Sequence, residues 1–158
     1  ADEDNPRGYY EYEPVKRTRE DPSWVDLARG RAVKVVYRLL FDLPVDREYR
    51  VLFMKRRLAE VLASQDRMLE RRSQAVEPMD LERFTRLFGA EVERARAWLA
   101  ARPNFRVLEV DFNRMIGEPA PALESVSAFL GGGLDVREMA RVVDPALYRQ
   151  RTGPVQNM

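Results

Sequence analysis

The chain has 158 residues, enough for one domain with a real core, and its 27 basic and 26 acidic side chains leave a formal charge of +1. That balance argues against a nucleic-acid protein, whose contact face is strongly basic. No apolar run approaches the ~20 residues of a membrane-spanning helix, and no signal-peptide pattern is present. With no cysteine and no histidine, disulfide frameworks, thiolate and imidazole metal sites, and Ser-His-Asp or Cys-His catalysis are excluded. A general base then has to be Asp, Glu, Lys or Tyr. The reading is a soluble, cytoplasmic protein without a metal.

In chain order, Ala1–Pro22 is acidic and then aromatic, and Pro6, Pro14 and Pro22 block long regular structure. The chain opens at Ala1 in loop chemistry with no element ahead of it, and is expected to be a piece of a longer protein. Ser23–Arg29 predicts a short helix ended by Gly30. Ala32–Tyr37 (AVKVVY) predicts a buried parallel strand, apolar on both sides except at Lys34. Leu39–Leu43 is a short helical or irregular piece stopped by Pro44, and Val45–Glu48 is a turn. Tyr49–Met54 predicts the next strand, followed by a helix from about Leu58 to Ser73. Asp80 reads as the N-cap of a long helix to about Arg102, with Leu81, Phe84, Phe88, Val92, Ala95 and Leu99 on its apolar face. Phe105–Val110 predicts a third strand, Asp111–Gly117 a loop or short helix, Pro119–Leu130 a helix ended by Gly131, and Asp135–Val142 a last short helix. Strands alternating with helices predict an α/β fold with a parallel sheet.

The stretch that carries chemistry is Tyr49–Met68. A strand turns basic at Lys55-Arg56-Arg57 and then takes a helical period at Leu58, Val61, Leu62, Gln65 and Met68. A strand's carboxyl end followed by a helix N-terminus is how an α/β protein offers an anion site. Arg56 supplies a guanidinium there, and Ser64 a hydroxyl a turn and a half into the helix. Taken alone, the same residues also read as a solvated basic corner.

Arg56 followed by Ser64 across such a corner resembles the 3′-phosphate site of sulfotransferases that use 3′-phosphoadenylyl sulfate (PAPS). The family pattern is Arg-Asp/Asn-Pro-x-Asp-x-x-x-Ser. Here Glu60 replaces the Asp, and Arg57 and Leu58 depart from the Asp-Pro pair. Asn5–Glu11 (NPRGYYE), Val107–Phe112 (VLEVDF), Glu118-Pro119 and Phe129-Leu130-Gly131 extend the resemblance over essentially the whole chain. It implies a P-loop NTPase-like three-layer parallel sheet with flanking helices, residues 1–158 forming one domain after a first strand and phosphate loop. No glycine-rich phosphate loop follows a strand in this sequence, so the fold is expected to be incomplete at its N-terminus and this chain inactive in transfer.

The resemblance also assigns roles. PAPS is the donor and 3′,5′-ADP the product, with no metal. Arg56 and Ser64 bind the 3′-phosphate, with Arg149 or Arg151 assisting from the late basic stretch. Glu11, or Glu13 after it, takes the acceptor's proton, and Lys34 offsets charge on the leaving phosphate. Each has a plainer alternative: Glu11 and Glu13 as surface acids, Lys34 as a strand-end lysine snorkelling to water, Arg149 and Arg151 as a solvated tail. Trp98 could stack on adenine, or pack in a core. The acceptor is a small molecule, glycan or peptide, with no nucleic acid and no membrane. A P-loop kinase-like phosphotransferase, with Asp111 as the metal ligand, and a non-catalytic interaction domain are the rival readings.

Overall fold

Two segments rich in β-branched and aromatic residues form the sheet. Strand β1 (Tyr49–Lys55) runs parallel to β2 (Phe105–Asp111), with Tyr49 opposite Phe105 and Lys55 opposite Asp111. The structure is a computed structural model and describes residue 8, residues 10–61 and residues 81–148. It shows a mixed α/β chain whose sheet, among the described residues, has these two strands. The chain divides into two compact units: Ala1–Glu48 with Ala90–Asn104, and Tyr49–Gly89 with Phe105–Met158.

The first unit holds a 3-10 turn at Glu13–Arg17, helix α1 (Trp24–Leu27), a 3-10 turn at Tyr37–Asp42 and the last part of the long helix α2 (Leu81–Ala100). Its buried residues are Val15, Thr18, Trp24, Leu40, Leu43, Ala95 and Leu99. The α2 face read from the sequence is the right one: Phe84, Phe88 and Val92 are half-buried, and Ala95 and Leu99 fully so. Trp98 meets Phe41 edge to face at 5.3 Å and lies under Arg102, 3.8 Å from the ring centroid. Its role in this unit is packing. Arg47 forks onto Asp26 at 2.9 and 3.1 Å, and its carbonyl accepts from Asn104 Nδ2 at 2.8 Å.

Thr18, 1% exposed, is the polar pin of this core. Its hydroxyl donates to the Val15 carbonyl and accepts from Trp24 Nε1 at 3.1 Å. Thr18→Val keeps the shape and strands the buried indole N–H, at an expected cost of about 1–3 kcal/mol. Both tryptophans of the chain, Trp24 and Trp98, belong to this unit, so urea unfolding followed by fluorescence reads that loss directly.

The strand expected over Ala32–Tyr37 is absent. Residues 32–36 are extended but join no ladder, and Tyr37 begins the 3-10 turn. Val33 and Val35 turn partly inward while Lys34 and Val36 face solvent, Val36 being 58% exposed. An extended run becomes a strand only where its N–H and C=O groups pair with a neighbouring backbone, and residues 32–36 make no ladder with β1 or β2. The helix expected over Ser23–Arg29 shortens to α1.

In the second unit, β2 passes directly into helix α3 (Phe112–Gly117), and α4 (Pro119–Leu130) and α5 (Val136–Arg141) follow. Helix α4 packs on both strands and on α3 and α5. Leu123, Val126 and Ser127 of α4 are buried with Phe105 and Val110 of β2. Each short helix starts at an aspartate cap: Asp111 accepts from the Arg114 N–H at 2.9 Å, and Asp135 from those of Arg137 and Glu138 at 2.9 and 3.1 Å. Gly131 ends α4 at φ 112°, a left-handed cap. A Cβ there would sit 3.3 Å from Arg50 Nη1, which itself donates to the Leu130 carbonyl. Among the described residues no helix is long and apolar enough to cross a membrane.

Candidate functional site

Arg56 follows the last residue of β1, where the strand gives way to a helix whose residues 58–61 are described. The amides of Glu60 and Val61 donate to the Arg57 carbonyl at 3.0 and 3.2 Å, closing the first turn. The chain therefore turns from strand to helix within two residues, as the basic corner predicted. Ser64, Arg149 and Arg151 lie outside the described residues.

Glu60 organises this corner. It is fully buried, and it lies one turn along the helix from Arg56. A carboxylate so placed must be surrounded by donors. Its Oε2 accepts from Arg56 Nε at 3.3 Å and from Asn113 Nδ2 at 2.8 Å. Its Oε1 accepts from the Tyr148 hydroxyl and lies 3.8 Å from Arg57 Nη1. Asn113, in the first turn of α3, also donates to the Tyr148 hydroxyl at 2.6 Å, and its Oδ1 accepts from the Arg57 amide at 3.2 Å. One asparagine thus joins the start of the helix after β1, the buried carboxylate and the segment after α5.

Two rings complete the cup. Arg56 Cζ is 5.1 Å from the Phe112 centroid and 5.6 Å from that of Tyr148, and the rings stand 85° apart. Both distances lie within cation–π range. The Arg56 side chain remains 27% exposed. Among the described residues only its Nε is bonded to a carboxylate. Among the described residues, Nη1 and Nη2 have no hydrogen-bond partner. A guanidinium fixed by one edge and two rings, with its other edge open, is arranged to take two oxygens of an anion.

Comparison with protein-family models, with curated proteins and with solved structures returns no match.

Glu11 and Lys34 come together in the first unit at 3.7 Å, and Lys16 approaches the other Glu11 oxygen at 3.5 Å. Lys34 is not the charge inside a strand that the sequence suggested; its side chain is 57% exposed, on an unpaired extended segment. Glu13 pairs with Lys16 at 2.8 Å, and that hydrogen bond pushes the Lys16 ammonium up. Asp111 caps α3 and is held by that role. The first unit also has an open cavity of about 280 Å³ lined by Tyr37, Arg38, Phe41, Glu91 and Arg94. There Glu91 Oε2 accepts from the Tyr37 hydroxyl at 2.7 Å and from Arg38 at 2.6 and 3.0 Å, which holds its carboxyl below the usual range.

Sequence reasoning singled out Arg56 but not its supports. Glu60 stood out only as a replacement for the family's Asp, Phe112 only as the end of the Val107–Phe112 resemblance, and Asn113 only as a structural turn residue beside Asp111. The Tyr148 phenol is pushed up, chiefly because its proton is shared with Glu60 and secondarily by burial. A raised folded value gives stability that is whole below the unfolded value of about 10 and is lost as pH rises through the folded value. Alkaline titration above about pH 10 should therefore loosen this corner. Tyrosinate difference spectra should show, among the described residues, two late-titrating phenols, Tyr37, raised chiefly by burial, and Tyr148, and Tyr148→Phe should remove one of them.

Proposed function

We propose that this chain carries the 3′-phosphate-binding portion of a PAPS-dependent sulfotransferase domain. One observation supports the reading above the others: Arg56, at the carboxyl end of a parallel strand, is held by Glu60 through Nε while, among the described residues, its Nη nitrogens have no partner. That donor pair suits the oxygens of a phosphate monoester. Ser64, four residues after Glu60 in sequence, would add a hydroxyl, and Arg149 and Arg151 come one and three residues after Tyr148. When bound, the donor supplies the sulfuryl group and leaves as 3′,5′-ADP. The chain's own residues then bind, orient and move a proton. In the intact domain, and not in this chain alone, Glu11 would accept the proton of the acceptor hydroxyl or amine and Lys34 would offset charge on the leaving phosphate; the two side chains pair at 3.7 Å. The fold this reading implies is a P-loop-like three-layer sheet, of which β1 and β2 are neighbouring strands.

The test is calorimetric titration of the chain with 3′,5′-ADP in the absence of magnesium. Binding is expected, with ATP–Mg²⁺ bound more weakly. Preference for ATP–Mg²⁺ would favour a kinase-like phosphotransferase, and binding of neither would overturn the nucleotide reading.

A further inference from the structure

Glu91 and Arg94 stand one turn apart on α2, opposite in charge and both lining the cavity of the first unit. At that spacing an acid and an arginine ordinarily meet. Glu93 and Arg96, with the same order and spacing on the same helix, do so at 2.8 Å. Glu91 and Arg94 do not, because each is drawn to another partner. Glu91 Oε2 accepts from the Tyr37 hydroxyl and from two nitrogens of Arg38. The Arg94 guanidinium lies over the Phe41 ring, 5.1 Å from its centroid, and Phe41 is fixed in turn by Trp98, edge to face. Both partners leave a face unused. Among the described residues, Glu91 Oε1 and the Arg94 nitrogens have no hydrogen-bond partner, and the Glu91 side chain is 41% exposed.

We propose that this cavity binds an α-amino acid with an apolar side chain, its ammonium on Glu91 Oε1, its carboxylate on Arg94, and its side chain along the Tyr37 and Phe41 rings. A simple anion would meet Arg94 but bring like charge to Oε1, and a simple cation would do the reverse. Ammonium and carboxylate borne on one carbon satisfy both poles at once. Arg38 offsets part of the Glu91 charge through Oε2 and leaves Oε1 as the acceptor. The cavity, about 280 Å³, lies near the small end of the ~300–1,000 Å³ range of small-molecule sites, which suits a ligand of this size. The site does not depend on the nucleotide reading, since Arg56 belongs to the other unit.

The experiment is an amide NMR titration of the whole chain with three probes: L-phenylalanine, 3-phenylpropionate, which lacks the ammonium, and 2-phenylethylamine, which lacks the carboxylate. L-phenylalanine is expected to shift the amides of residues 37–41 and 91–94 saturably, and to bind roughly tenfold more tightly than either analogue. Arg94→Met keeps a side chain on Phe41 but removes the donors. It should weaken L-phenylalanine and 3-phenylpropionate roughly five- to tenfold and not weaken 2-phenylethylamine. Glu91→Gln keeps an oxygen for Tyr37 and Arg38 and turns an NH₂ to the cavity. It should weaken L-phenylalanine and 2-phenylethylamine by a similar factor and not weaken 3-phenylpropionate. No saturable shift at those amides up to concentrations on the order of ten millimolar would overturn the proposal, as would an analogue that binds as tightly as the amino acid. So would a variant that weakens all three probes alike, which is what mere loosening of the cavity produces. The comparison of probes on the unaltered chain stands even if a variant fails to fold.

Discussion

Glu60→Ala is expected to be the most damaging single change in the second unit, costing about 3 kcal/mol. The carboxylate has no exposure and gathers donors from the strand end, from α3 and from Tyr148. Its removal leaves a cavity and takes from the Asn113 amide and the Tyr148 hydroxyl the charged acceptor they share, a contact worth about 1.5–3 kcal/mol. Arg56 offsets part of this because it is 27% exposed and its charge reaches water, which puts the cost at the low end for a broken buried pair. Glu60→Gln should cost roughly half as much. It keeps one acceptor, but its NH₂ would face a wall of N–H and O–H donors. Fluorescence is the wrong probe, since both tryptophans belong to the first unit. Amide exchange of the β1 and β2 ladder is the right one: in Glu60→Ala its protection should fall, while the Trp24 region keeps its own. Unchanged ladder protection would mean that the buried network is energetically idle.

The parallel pair was legible because each strand is a short apolar run closed by a sharp change of chemistry, Lys55-Arg56-Arg57 after β1 and Asp111 before α3. The α2 face and the Gly131 cap were legible for the same reason: local spacing and a residue with special backbone freedom carry them. Residues 32–36 were not, because composition sets a preference for extended backbone but not the presence of a partner edge. Arg56 was found from its place in a strand-to-helix corner. Its supports were hidden by distance along the chain: Asn113 is 53 residues from Glu60, and Tyr148 is 88. Neither has a local pattern that marks it, and a tyrosine before a basic tail reads equally as a surface residue. Glu60 was visible only as the acid standing where the family pattern has Asp. Its complete burial, which turns it from a surface partner into the organiser of the corner, depends on what α3 and the segment after α5 bring over it.

Arg56→Ala should weaken 3′,5′-ADP binding by about 1.5–3 kcal/mol, roughly tenfold to more than a hundredfold in Kd. The range is that of a hydrogen bond to a charged group, and the geometry argues for its upper half. Part of the cost of ordering the side chain is already met in the free protein, where Glu60 and the Phe112 and Tyr148 rings hold the guanidinium. Arg56→Lys separates charge from shape. An ammonium cannot span two phosphate oxygens or lie flat against two rings, so most of the loss should persist although the charge remains. Salt gives a second signature: the site is partly exposed, so binding should weaken as ionic strength rises, and the slope should shrink in Arg56→Ala because one cation has gone. Adenosine 5′-phosphate should be nearly indifferent to the same substitution. If both nucleotides lose affinity together, Arg56 acts on the fold or on the ring and sugar, and the 3′-phosphate assignment is wrong.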